Sequence, residues 1–214
     1  MSKQKMLMHP AAKPALFALC MLPFAWLLYT ALTNQLGANP AEALIRATGD
    51  WTLRFICIVL LVTPLRSISN TPQLARFRRM LGLFVYFYVV IHLLSYSWFD
   101  MGFDFTDIAK DIAKRPFILV GFSAFVLLTP LAATSFNAAI KAMGAKRWQL
   151  LHKLLYLISG LGLLHFFWMR AGKNNFAEVF VYAVIIAVLL GWRIRQYLLK
   201  KKSAAQQMRI QVAT

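Results

Sequence analysis

Long blocks of apolar residues, separated by short polar segments, dominate the chain from about residue 14 onward. Six such blocks lie at about 14–33, 51–65, 80–99, 116–134, 149–169 and 176–192. They lack the one-sided stripe of a surface helix, and about 20 apolar residues is the length that crosses a bilayer as a helix. The pattern predicts an all-α membrane protein, a bundle of about six transmembrane helices. The second block is short for a crossing. Its helix either begins earlier, within Pro40 to Asp50, or sits where the bilayer thins. The first block follows Lys3, Lys5 and Lys13 as a signal peptide would, but its length and the five blocks after it favour a retained helix. The expected organisation is a tail over 1–13, one helical domain over 14–195 and a basic tail over 196–214. That division leaves no room for a separate soluble domain.

Composition agrees with a membrane location. Of 214 residues, 60% are hydrophobic, and mean hydropathy is +0.60. Net charge is +17, which in a soluble protein would raise a nucleic-acid reading. Here the basic residues lie between apolar blocks, so the positive-inside rule accounts for them and nucleic-acid binding is not expected. With the N-terminus in the cytoplasm, cytoplasmic segments hold 17 basic residues and no acidic one. Lys3, Arg66, Arg79, Lys146 and Lys201 are among them. The opposite side balances seven basic residues, including Arg46, Arg54, Arg115 and Lys173, against seven acidic ones. This asymmetry predicts an N-in, C-in topology in a membrane, surrounded by lipid. Trp51, Trp98 and Trp168 fall at expected outer ends, and Trp148 and Trp192 at inner ends, as an aromatic belt requires. Cys20 and Cys57 lie in apolar blocks without CxxC spacing and read as small buried residues.

Apart from Glu178 at the start of the last block, the expected spans contain no aspartate or glutamate. Their strongly polar residues are His92, His152, His165 and Arg54. A single intramembrane histidine serves as readily for a helix–helix hydrogen bond as for function. Three on two helices, without carboxylates for a proton relay, point instead to axial ligation of haem iron. At a rise of about 1.5 Å per residue, His92 lies about 18 Å and His165 about 24 Å from the inner edge, while His152 lies only about 4–5 Å inside it. A haem bridging spans three and five through His92 and His165 is the economical arrangement. His152, about 20 Å along the axis from His165 and turned about 220° around it, would belong to a second, inner site. Gly160 and Gly162 would let a large ring approach, or let two helices pack. Arg54 would snorkel to the outer interface or pair with a haem propionate. Arg78, Arg79, Lys146 and Arg147 form an inner basic rim that fits both the topology rule and contact with an anionic cofactor.

Several segments carry a resemblance. Leu36-Gly37-Ala38-Asn39-Pro40, Thr63-Pro64-Leu65, Arg78 to Leu83, His92 to Tyr96, Arg115-Pro116, Lys146 to His152 and Leu164-His165-Phe166 resemble, in this order, the MsrQ (YedZ) family. These are haem-binding membrane subunits of a periplasmic protein-methionine-sulfoxide reductase system. The resemblance covers roughly residues 20–195, within the wider ferric-reductase-like transmembrane domain shared with NADPH oxidases. It implies a b-type haem protein that also binds FMN. Electrons would come from the quinone pool or a cytoplasmic flavin reductase and pass to a periplasmic molybdopterin enzyme that repairs oxidised methionine in envelope proteins. Two-haem members of the wider family carry paired histidines on each of two helices. Here Arg79 stands 13 residues before His92, and arginine does not ligate iron. The resemblance therefore leaves one haem or two open, and with it the occupant of the inner site.

The expected role is an electron-transfer subunit of an oxidoreductase complex, without the methionine-sulfoxide site itself. No Gly-rich nucleotide-binding motif is present for a self-contained NADPH reductase. A small multi-pass transporter and a non-redox membrane anchor are the alternatives; neither needs buried histidines.

Overall fold

The computed structural model describes residues 3–172 and 174–213. Lys173, counted above among the outer charges, and residues 1, 2 and 214 of the expected tails lie outside the described residues. The order is α1 (Lys3–Met8), α2 (Ala12–Leu32), α3 (Pro40–Ile68), a 3₁₀ segment (Pro72–Phe77), α4 (Arg78–Phe99), α5 (Phe105–Lys114), α6 (Pro116–Ala133), α7 (Asn137–Met143), α8 (Ala145–Leu151), α9 (Leu154–Ala171) and α10 (Ala177–Ala213). No strand occurs among the described residues. Six stretches are long and apolar enough to cross a membrane, based on α2, α3, α4, α6, α8 with α9, and α10.

The second span begins well before its apolar block. Pro40 occupies the first turn, where its missing N–H costs nothing, and Asn39 accepts the Glu42 N–H at 3.2 Å. This start signal extends α3 to 29 residues, about 43 Å. It corrects two expectations. Glu42, Arg46 and Asp50 are helix residues of this span, so the spans do contain carboxylates. Trp51 lies in the middle of α3, not at its end.

Span five also differs from the continuous helix expected. α8 stops at Leu151, and His152 and Lys153 form the turn before α9 starts. Between spans three and four lies a short helix that hydropathy did not reveal. Asp104 caps this α5 by accepting the Thr106 and Asp107 N–H groups.

α3 packs along α4, α6 along α9, and α10 against both α3 and α9. At the centre, Tyr88 is fully buried and stacks on Phe55 at 5.1 Å. Its hydroxyl donates to the Cys20 carbonyl at 2.9 Å and accepts the Phe24 N–H at 3.1 Å. Those two backbone groups would pair with each other in an unbroken helix. The tyrosine thus enters the α2 ladder beside Pro23 and ties α2 to α4.

Candidate functional site

Two pairs of helices present one histidine each to a shared cavity of about 480 Å³. His92 on α4 and His165 on α9 have ring centres 6.1 Å apart, with ring planes at 76°. The separate depth estimates along two helices are thereby brought to one level.

Each ring is fixed in the same way by the helix opposite. His92 Nδ1 donates to the Ile45 carbonyl of α3 at 2.8 Å, and His165 Nδ1 donates to the Phe117 carbonyl of α6 at 2.7 Å. A carbonyl only accepts, so the proton sits on Nδ1 and the Nε2 lone pair is left for a ligand. Four residues beyond each carbonyl stands a glycine. A Cβ on Gly49 would lie 3.1 Å from His92 Cε1, and one on Gly121 would lie 2.7 Å from His165 Nδ1. α3 and α6 therefore each carry a carbonyl at position i and a glycine at i+4, which together form a seat for an imidazole.

Neither glycine was among the residues singled out from the sequence. Gly49 fell outside the expected second span, and Gly121 sits in an apolar run with no polar neighbour to mark it. Counting inward from the outer end of α6 would have put Gly121 at the depth of His165. Of the two glycines that were singled out, Gly162 lines the cavity, beside Ile56 and Leu53, and Gly160 does not.

Polarity is graded along the cavity. The wall formed by Leu53, Ile56, Ala124, Phe125, Leu128 and Ile158 is apolar. At the other end, on the side that the loop charges assign as outer, lie Asn39, Glu42, Arg46, Asp100 and Arg115. Arg46 is ion-paired with Glu42 within α3. Arg115 chelates the Asp111 carboxylate through Nε and Nη2, and the same carboxylate accepts the Tyr96 hydroxyl. Burial raises the Asp111 carboxyl, but hydrogen bonds from Arg115 and Tyr96 outweigh it and hold the group below the usual carboxylate range. At Asp100 burial dominates and pushes the carboxyl up, against the opposing charge of Arg115.

Arg54 is not at this cavity. Its Nε donates to the Tyr182 hydroxyl of α10 at 3.2 Å, and its guanidinium lies 4.6 Å from the Trp51 ring centre. Arg54, read from the sequence as snorkelling or as a propionate partner, thus faces the α10 side of α3, a rotation that its depth does not fix.

His152 belongs to a second cavity, of about 460 Å³, on the other side of the bundle. Its Nδ1 donates to the Trp148 carbonyl at 3.0 Å, its Nε2 lies 3.5 Å from the Ser135 hydroxyl, and Trp148 covers it with ring centres 3.9 Å apart. Arg78, Arg79 and Lys153 also line this cavity, and Arg79 donates to the Asn137 side chain at 2.7 Å. Among the described residues no second histidine lines it. Leu128, 4% exposed, lines both cavities and stands between them. Among the described residues, no group of three or more His, Cys, Asp or Glu could hold a metal ion by itself.

Comparison with known proteins gives the family. The family described as "Ferric reductase like transmembrane component" matches residues 48–163. A Polaromonas naphthalenivorans protein named "Protein-methionine-sulfoxide reductase heme-binding subunit MsrQ" is 83% identical over 90% of this chain and 88% of its own length. Proteins of the same name from Herminiimonas arsenicoxydans and Caulobacter vibrioides are 53% and 42% identical, over 85% and 82% of this chain and 84% and 82% of theirs. No solved structure matches the chain significantly. With six membrane-crossing helices and relatives of this kind, the protein is a multi-pass redox subunit of a bacterial inner membrane, and it belongs to the MsrQ family within the ferric-reductase-like transmembrane proteins.

Proposed function

We propose that this chain carries electrons across the inner membrane on a haem b held between His92 and His165. The observation that carries the reading is the facing histidine pair. An iron bound to two imidazole nitrogens at about 2 Å each would set the ring centres about 6 Å apart, and they are 6.1 Å apart. A pair of histidines without a third or fourth ligand suits an iron whose remaining positions are filled by a macrocycle. The cavity is apolar at one end and polar at the other, as a flat hydrophobic ring with acidic substituents requires.

When bound, the haem supplies a one-electron relay between ferric and ferrous iron. The protein's own contribution is preorganisation. The Ile45 and Phe117 carbonyls fix the tautomer and increase the basicity of each imidazole, and Gly49 and Gly121 let the rings lie against the helices. The apolar wall of Leu53, Ile56, Ala124, Phe125, Leu128 and Ile158 would surround the ring with apolar side chains at its inner end.

The inner cavity is the proposed seat of FMN rather than a second haem. Only His152 lines it as a nitrogen ligand, whereas Arg78, Arg79 and Lys153 suit a phosphate and Trp148 suits a flat aromatic ring. Electrons from a quinol or a cytoplasmic flavin reductase would enter here and leave through the outer site. They would pass to a periplasmic molybdopterin subunit that reduces methionine sulfoxide. The N-in, C-in orientation and the division into tails at 1–13 and 196–214 around one domain are part of this reading.

Oxidised and dithionite-reduced absorption spectra of the purified protein test it, with a pyridine-haemochrome count per chain. A low-spin b-type spectrum lost in both His92→Ala and His165→Ala is expected. A haem-free preparation from haem-replete cells, or a spectrum unchanged in both variants, overturns it.

A further inference from the structure

We infer that Arg46 and Arg115 form a two-sided clamp for the carboxylates of the group bound between the histidines, a role that rests on the haem reading above. Besides the histidines, they are the only basic residues lining that cavity among the described residues, and both stand at its polar mouth. Each belongs to the helix segment that orients one histidine. Arg46 directly follows Ile45, whose carbonyl holds His92, and Arg115 precedes Phe117, whose carbonyl holds His165, by two residues. The cavity that holds the two rings is therefore lined by one guanidinium from α3 and one from the junction of α5 and α6.

A ring with two carboxylates cannot leave them against Leu53, Ile56 and Leu128, where an ionised group would be desolvated without a partner. They must point to the end where guanidinium donors are found. The existing ion pairs do not consume those donors. Arg46 meets Glu42 through Nη2, and Arg115 meets Asp111 through Nε and Nη2, while each guanidinium carries five N–H groups. Glu42 and Asp111 hold the two side chains in place from outside. Asp100, which also lines the cavity, repels carboxylates that are not seated on the arginines, which sharpens the requirement for both cations.

The test uses full-length protein made in haem-deficient cells and titrated in detergent with iron protoporphyrin IX or its dimethyl ester, which lacks the two charges. Wild type is expected to bind the free acid about ten- to one-hundred-fold more tightly than the ester. Arg46→Gln and Arg115→Gln should each lower that preference, and the double variant should abolish it while still binding the ester. Lys110→Gln, which removes an exposed α5 cation that does not line the cavity, should retain the preference. Equal binding of acid and ester by wild type, or a full preference in the double variant, overturns the clamp and leaves the histidine site standing. Binding of neither porphyrin by wild type removes the haem reading itself, and the clamp with it.

Discussion

Gly121 and His165 Nδ1 are so close that a single added methyl group would occupy the same space: a Cβ at Gly121 would lie 2.7 Å from the ring nitrogen. The atom it would strike is the one that donates to Phe117. Gly121→Ala is therefore expected to tilt the imidazole and break the hydrogen bond that sets its tautomer. Disturbing such an outer-shell contact typically costs about 10- to 100-fold in affinity. Haem retention during purification should fall accordingly. Gly49→Ala, whose Cβ would meet His92 at 3.1 Å, should cause a smaller loss, because a shift of a few tenths of an ångström relieves it. Equal retention in wild type and Gly121→Ala would show that the ring position is not critical.

His152 should separate the two cavities functionally. Its removal alters the inner cavity, whereas Leu128 and the apolar wall shield the outer one. His152→Ala is expected to leave the low-spin haem spectrum intact and to release flavin, read by fluorescence after denaturation. Loss of haem instead of flavin would place a second haem at the inner site.

The sequence made the histidine pair legible because ionisable residues stand out in an apolar span and their depth follows from a constant helix rise. It did not reveal what seats the rings. Gly49 and Gly121 act by lacking a side chain, and only the helix opposite gives that absence a meaning. Arg46 and Asp50 were hidden by a different cause. Asn39 and Pro40 start α3 eleven residues before its apolar block, so local capping overrides the hydropathy edge. Arg54 stayed open between snorkelling and a propionate partner for a different reason. Hydropathy gives depth but not the rotation of a helix, and Arg54 faces Tyr182. The turn at His152 likewise leaves no trace in hydropathy.

The latch that holds α5 to α4 should depend on pH. Asp111 is held below the usual carboxylate range, chiefly by Arg115 and Tyr96, against the opposing effect of burial. A depressed folded-state value adds stability above the unfolded value of about 3.9. That stability is lost as pH falls through the folded value. Hydrogen exchange across residues 100–116 should stay slow at neutral pH and accelerate in strong acid. Asp111→Asn should show fast exchange at neutral pH. An unchanged profile in that variant would show that the carboxylate does not anchor the helix.

Orientation is open to a direct check. In a background of Cys20→Ser and Cys57→Ser, single cysteines can be placed at Asn70, Phe103 and Lys201. A membrane-impermeant maleimide applied to intact spheroplasts should label only Phe103→Cys. Labelling of Asn70→Cys or Lys201→Cys without permeabilisation would invert the topology, and with it the assignment of inner and outer cavities.

The most direct test of the central claim is the low-temperature EPR spectrum of the oxidised protein. Two imidazoles on one ferric haem whose planes are close to perpendicular give a strongly axial low-spin signal, distinct from the rhombic signal of parallel planes. His92 and His165 stand at 76°, so the axial signal is expected, and it should vanish in His92→Ala and in His165→Ala. A high-spin signal, a rhombic low-spin signal, or an axial signal that survives both substitutions would contradict haem ligation by this pair.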